Sequence, residues 1–295
     1  MSEGAVAFFQ MLVPVGLMLI MFSMGLTLQL RDFGLVLKSG RLVGAGLVGQ
    51  LVALPLLALA IGMLFRLPPQ IALGLFIVAI CPAGTTSNAL TFVGRGNVAL
   101  AIVLTALTSF VTVFSIPLLL SWALPWFLAG SGVVPALSIP TVMMQLVTIT
   151  VLPVALGMTV RRFRPLWADR MVPWLRPTAF VVLVAVIGLS VAVSLEMVLA
   201  NLAGAGPAIW VLNVAGMAAG LAIGRAIGVD ARNAMTLAIE IGVQNVTLAI
   251  FLTLNVLNSL PLAVTQNVYG VIMLLNGTIL IRLLRRRIKA AEAAA

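Results

Sequence analysis

Apolar residues run through this chain in long blocks, separated by short polar segments that carry Gly, Pro, Arg or Asn. The blocks cover about 8–30, 43–65, 70–93, 98–125, 141–160, 177–199, 206–228, 233–257 and 262–283. Each is long enough for an α-helix to cross ~30 Å of hydrocarbon, which takes ~20 residues. The pattern therefore predicts an all-α polytopic membrane protein with nine transmembrane helices. The third and eighth blocks are interrupted. In the third, an apolar half over 70–80 runs into Cys81-Pro82-Ala83-Gly84-Thr85-Thr86-Ser87-Asn88. There Pro82 removes an N–H and clashes with the preceding turn, and Gly84 favours open backbone. In the eighth, Glu240-Ile241-Gly242-Val243-Gln244-Asn245 divides the apolar stretch. Unpaired N–H and C=O groups at mid-membrane depth are tolerated only where protein buries them or water reaches them. Two discontinuous helices thus predict a cavity. Because the two lie five spans apart they run in opposite directions, as in an inverted-topology repeat. Thr86-Ser87-Asn88-Ala89-Leu90 aligns loosely with Val243-Gln244-Asn245-Val246-Thr247, each with a polar-Asn pair.

Composition agrees with this reading. Of 295 residues, 62% are hydrophobic and 8% charged, and the mean hydropathy is +1.23, too little polar surface for a water-soluble globule. The single cysteine excludes an internal disulfide and a Cys-rich metal cluster, and the lack of His removes the commonest metal ligand and proton shuttle. Met1-Ser2-Glu3-Gly4 carries no basic residue ahead of the first apolar run, so that run is expected to be retained rather than cleaved.

The net charge of +10 is explained by topology. With alternate helices reversing direction, every basic residue except Arg66 falls in one set of loops, from Arg31, Lys38 and Arg41 to the Arg285-Arg286-Arg287 cluster and Lys289. The positive-inside rule then places the N-terminus outside and the C-terminus in the cytoplasm. No nucleic-acid partner is needed to account for the charge, and no obligate protein partner is evident. Trp122 and Trp126 at one side, and Trp167 and Trp174 at the other, fall at span ends, where indole rings sit at headgroup depth. Pro14, Pro55, Pro117 and Pro153 are expected to mark kinks and close packing.

Glu240 is the one carboxylate expected near the midplane, where a charge costs roughly 2.5–3.5 kcal/mol or more unless compensated. Half-helix C-termini and unwound carbonyls offer negative partial charge to a cation, and half-helix N-termini offer N–H groups to an anion. Glu240 with the side-chain oxygens of Ser87, Asn88 and Gln244 makes an all-oxygen set suited to a hard cation, Na⁺ rather than a soft metal. The alternative is a protonated Glu240 bonded to a neighbouring carbonyl, with Ser87, Asn88 and Asn245 joining helices.

These residues resemble the bile acid:sodium symporter family. The resemblance rests on Phe22-Ser23-Met24-Gly25-Leu26-Thr27-Leu28, Gln50 followed by Pro55, Cys81 to Asn88, Arg95-Gly96-Asn97 followed by Thr105, and Glu240 to Asn245. It implies a core domain with two crossing discontinuous helices, about 43–125 and 206–283, and a panel domain, about 8–30 and 141–199, that moves against it. It implies one Na⁺ held by Ser87, Asn88, Thr105 and Glu240, and a second held by Gln50, Glu240, Gln244 and the carbonyls of Ile241 and Val243. Asn245 and Asn276 would face the substrate, and Thr85 with the N–H groups opening the second half of span 3 would meet its anionic group. The family commonly has a hydroxyl at the position of Ala101, one turn before Thr105, so the first site is expected to lack a ligand, bind more weakly or use water. Many bacterial members have ten spans.

The expected function is therefore sodium-coupled uptake of an organic anion, bile-acid-like or a small carboxylate such as pantoate or pyruvate, by alternating access in a bacterial inner membrane. A proton-coupled or arsenite-type exporter, with Glu240 cycling protons and Cys81 meeting a thiophilic solute, is the nearest alternative. A sensor that binds without accumulating is another. An intramembrane enzyme would need a nucleophile with a base or a metal centre, and there is no His, buried Lys or acidic pair.

Overall fold

The computed structural model describes residues 3–37, 39–130 and 136–294. Met1, Ser2 and Lys38 lie outside the described residues, as do the side chains of Arg176, Arg286, Arg287 and Lys289. The elements are helices. In chain order they are α1 (Glu3–Gly25), α2 (Leu30–Leu37), α3 (Gly40–Leu64), α4 (Pro69–Ile80), α5 (Thr85–Val93), α6 (Val98–Leu128), α7 (Ile139–Phe163), α8 (Pro165–Val193), α9 (Leu195–Ala226), α10 (Ala231–Gly242), α11 (Val246–Val256) and α12 (Leu260–Ala294). Among the described residues six helices, namely α3, α6, α7, α8, α9 and α12, are long and apolar enough to cross a bilayer by themselves. Three further apolar helices are shorter: Gln10–Gly25 within α1, α4 and α11. The molecule is an integral, polytopic membrane protein.

Helix α1 packs on α7 and α8, while α9 lies along α10, α12 and α3, and α12 also covers α4. Small residues set the closest approaches, as expected where lipid supplies no hydrophobic drive between helices. A Cβ on Gly25 would stand 2.3 Å from the Val154 carbonyl oxygen, and one on Gly220 would stand 2.5 Å from the Ala238 Cα. The chain passes from α8 to α9 through Ser194 alone, whereas the hydrophobic pattern predicts a boundary at about 200–205. Ser194 donates its hydroxyl to the Ser190 carbonyl at 2.7 Å and accepts from Asn267 Nδ2 at 3.0 Å. The segment from Gly204 to Pro207 is helical inside α9.

Prolines act through register as well as through kinks. Pro55 and Pro153 cannot donate to the turn before them. Each follows a π-helical segment, Gly49–Ala53 and Val147–Val151, in which Leu54 N–H reaches the Gly49 carbonyl and Leu152 N–H reaches the Val147 carbonyl. A third π segment, Leu252–Val256, ends α11. The predicted interfacial indoles Trp122, Trp126, Trp167 and Trp174 are all well exposed, and Trp122 stacks on Trp126 with ring centroids 5.7 Å apart.

Candidate ion and solute site

Both predicted interruptions are present, and they meet. Helix α4 stops at Ile80 and the chain restarts as α5 at Thr85; α10 stops at Gly242 and restarts as α11 at Val246. Across the two gaps Ala83 and Gln244 form an isolated antiparallel β-bridge, and Asn245 N–H donates to the Pro82 carbonyl at 2.8 Å. Each gap thus supplies backbone partners that the other lost when its helix was broken.

Side chains hold two carbonyls of the α10 terminus. The Gly242 carbonyl accepts from Asn213 Nδ2 at 2.7 Å and from the Tyr269 hydroxyl at 2.9 Å. Gln244 Nε2 donates to the Ile241 carbonyl at 2.8 Å. Asn245 Oδ1 caps α11 by accepting from Leu248 N–H at 3.0 Å. The cap of α5 is Gly84, with no side-chain hydrogen bond. The structural counterpart of Asn245 is therefore Gly84 and not Asn88, which lies inside the first turn of α5; the text alignment of the two polar-Asn pairs is out of register.

Glu240 is 1% exposed. Its Oε2 accepts from the Thr105 hydroxyl at 2.8 Å, and Ser87 lies beside the same carboxylate. The Thr105 oxygen is also 3.4 Å from Asn88 Oδ1, so Ser87, Asn88, Thr105 and Glu240 are brought together. Ala101, one turn earlier on α6, is fully buried. Glu240 Oε1 and Gln244 Oε1 have no hydrogen-bond partner among the described residues. Gln50 is buried on the π segment of α3 with Nε2 unpartnered, and a half-turn of its amide presents oxygen instead. It is brought to the break by its neighbour Gly49, whose bare Cα lies so close that an added Cβ would stand 2.2 Å from Ile241 Cδ1. Buried oxygens that lack donors, on a single carboxylate and neutral amides, fit a hard monovalent cation. Among the described residues no group of three His, Cys, Asp or Glu side chains gathers at one point.

Beside this cluster lies a cavity of about 520 Å³, lined by Thr85, Thr86 and Asn88 of α5, Ser23 of α1, Thr27 of the turn after it, Ile102 of α6 and Phe180 of α8, among others. Its volume suits a small molecule. No charged side chain lines it, so an anion entering it meets hydroxyls and the α5 N-terminus, whose N–H groups are uncapped by any side chain. Asn245 sits against Gly84, ahead of Thr85, with Nδ2 unpartnered. Asn276 is not among the residues lining this cavity; its Nδ2 donates at 2.8 Å to Oδ1 of Asn213, whose own amide bonds the Gly242 carbonyl. Asn213 and Tyr269 are participants that the hydrophobic pattern does not single out. The available signals were a lone amide in the apolar stretch between Pro207 and Arg225 and the chain's sole tyrosine.

Residues 14–201 match the model of the Sodium Bile acid symporter family. The chain belongs to this family. The sodium bile acid symporter family consists of transporters rather than enzymes. Among its relatives is a probable sodium/metabolite cotransporter of the chloroplast, BASS1, from Arabidopsis thaliana, 29% identical over 276 residues, 92% of this chain and 66% of that one. The uncharacterized sodium-dependent transporter YocS of Bacillus subtilis is 27% identical over 95% of this chain and 85% of its own length. The ileal sodium/bile acid cotransporter of Homo sapiens is 28% identical over 79% and 66%. The chain spans about two thirds of the length of the plant and human relatives.

Proposed function

We propose that this protein is a sodium-coupled symporter of an organic anion, working by alternating access in the bacterial inner membrane. The observation that carries the reading is a buried carboxylate, Glu240, with one oxygen held by Thr105 and the other unpartnered, set where two broken helices meet. One Na⁺ is held by Ser87, Asn88, Thr105 and Glu240. A second is held by Gln50, Glu240, Gln244 and the carbonyls of Ile241 and Val243. The anion occupies the cavity beside Thr85 and Asn245, its charge facing the first turn of α5. Asn276 acts through Asn213 and the Gly242 carbonyl, steadying the α10 terminus.

In this reading the chain crosses nine times, with the N-terminus outside, and the broken pairs α4–α5 and α10–α11 cross as an inverted repeat. Helices α1, α7 and α8 form a panel that moves against the remainder. Packing of α1 on α7 and α8 supports that division, as does the position of the cavity between α1, α8 and the α5–α6 unit. Relatives named as cotransporters of bile acid and of metabolites support the coupling ion and the solute class.

The test is uptake of labelled anions, a bile acid beside pantoate, pyruvate and other short carboxylates, into proteoliposomes with and without an inward Na⁺ gradient at fixed pH. At least one anion is expected to accumulate only with the gradient. Accumulation driven by a pH gradient in the absence of Na⁺ would replace this reading with the proton-coupled one.

A further inference from the structure

A second cavity, of about 740 Å³, lies well away from the broken helices. It opens between the turn that joins α1 to α2 and the corner that joins α7 to α8. Its apolar side is made by Leu28, Met158 and Phe163, and its rim carries Arg31, Arg161 and Arg162. Arg161 is engaged in an ion pair with Asp169. Asp32, the acid nearest Arg31 in sequence, accepts from the Gln29 N–H at 2.8 Å. Among the described residues, Arg31 and Arg162 carry neither an ion pair nor a side-chain hydrogen bond.

We propose that this cavity is a binding site for the phosphodiester headgroup of an anionic phospholipid, held between Arg31 and Arg162 with an acyl chain lying over Phe163 and Leu30. The chemistry is one-sided: two free guanidiniums above an apolar floor complement a ligand that is anionic at one end and apolar at the other. A guanidinium fork matches phosphate oxygens in pairs. The depth is right as well. Exposed Trp167 follows the corner on α8, and the three arginines belong to the loop set placed on the cytoplasmic side, where basic pockets between helices attract acidic headgroups. Leu30 and Phe163 are among the most exposed large apolar side chains, at 65% and 71%, as expected of positions covered by lipid. The contact of α1 with α7 at Gly25 and Gly157 holds the two walls together.

The experiment is native mass spectrometry of the full-length protein after delipidation and incubation with mixed micelles of phosphatidylglycerol and phosphatidylcholine. The wild type is expected to retain phosphatidylglycerol selectively. Retention is expected to fall at least fivefold in Arg31→Ala/Arg162→Ala, to survive largely in Arg31→Lys/Arg162→Lys, and to be unchanged in Arg66→Ala. Should the double alanine variant not yield folded protein, Arg162→Glu is read in its place, since Arg162 is exposed. Equal retention by wild type and variant overturns the proposal, as does a wild type without preference for the anionic lipid. Displacement of the lipid by millimolar inorganic phosphate also overturns it, because the site would then serve a soluble anion. None of these readouts involves uptake, so the outcome is independent of the proposed transport function.

Discussion

Replacing Glu240 by Gln tests the central site with almost no change of shape. The amide oxygen can still accept from Thr105, now 2.8 Å from Oε2, so the link between α6 and α10 is kept. What changes is the other end. The unpartnered oxygen Oε1 becomes an NH₂ group, and a cation there loses a full charge and meets donors. Two unit charges ~4 Å apart at an effective dielectric of ~20 attract by about 4 kcal/mol, which corresponds to nearly three decades of affinity. If both Na⁺ ions share Glu240, each site weakens by about that factor and uptake is nearly abolished. Stability moves in opposite directions with and without the ion. In Na⁺-free buffer the variant is expected to be at least as stable as the wild type, because an uncompensated buried charge has been removed. With Na⁺ at about a hundred times the wild-type dissociation constant, the wild type gains ~2.7 kcal/mol and the variant gains almost nothing. Thermal unfolding in detergent across a Na⁺ titration, with choline at constant ionic strength, reads this directly. A variant that keeps the Na⁺-dependent rise in melting temperature, or that takes up substrate with unchanged apparent Na⁺ affinity, refutes the assignment of Glu240 as the shared ligand.

Ala101→Ser places a hydroxyl one turn before Thr105, and apparent Na⁺ affinity is expected to hold or strengthen in an uptake titration; a large weakening would show that the first ion is not bound at that face of α6. Gly220→Ala drives a Cβ to 2.5 Å from the Ala238 Cα, and overpacking of this kind costs about 1–3 kcal/mol, so the melting temperature should drop, and a wild-type value would mean that α9 and α10 are further apart. With two Na⁺ and one monovalent anion a positive charge enters per cycle, so an inside-negative potential of ~60 mV should raise accumulation about tenfold, from ~2.3 kcal/mol per charge per 100 mV. A valinomycin-imposed K⁺ potential in proteoliposomes measures it, and accumulation indifferent to potential would argue for electroneutral coupling.

The broken helices were legible because their residues conflict with their surroundings. Pro82 and Gly84 followed by four polar residues disfavour a continuous helix, and Glu240 cannot lie in lipid without compensation, so local chemistry announced both gaps. The bridge between Ala83 and Gln244 was not legible: nothing in either segment says which residue faces which, and the visible likeness of the two Asn pairs pointed to the wrong register. Asn213 and Tyr269 escaped for another reason. Each is the partner of a carbonyl at Gly242, and a carbonyl leaves no mark in the sequence. The π segments before Pro55 and Pro153 were read only as kinks, since a missing N–H states that a bond is lost and not how the turn before it rearranges. At the α8–α9 junction the helix ends at Ser194 and not at about 200–205, and the apolar block over 177–199 runs across Ser194 and gives no sign of it.

The two gaps are better regarded as one device than as two defects. A buried backbone group left without a partner costs about 1–3 kcal/mol, and opening two helices at mid-membrane frees several such groups. Here several are paired: Pro82 carbonyl with Asn245 N–H, Ile241 carbonyl with the Gln244 amide, Gly242 carbonyl with Asn213 and Tyr269, Leu248 N–H with Asn245. Side-chain atoms beside the gaps are left unpaired as well: Glu240 Oε1, Gln244 Oε1, Asn245 Nδ2 and, on α3, Gln50 Nε2. In the proposed symport a cation and the polar face of an anion would satisfy that remainder. It follows that such ligands would stabilise both gaps together. Weakening either gap, at Pro82 or at Gly242, should therefore lower affinity for Na⁺ and for the solute alike, although neither residue supplies a side-chain ligand.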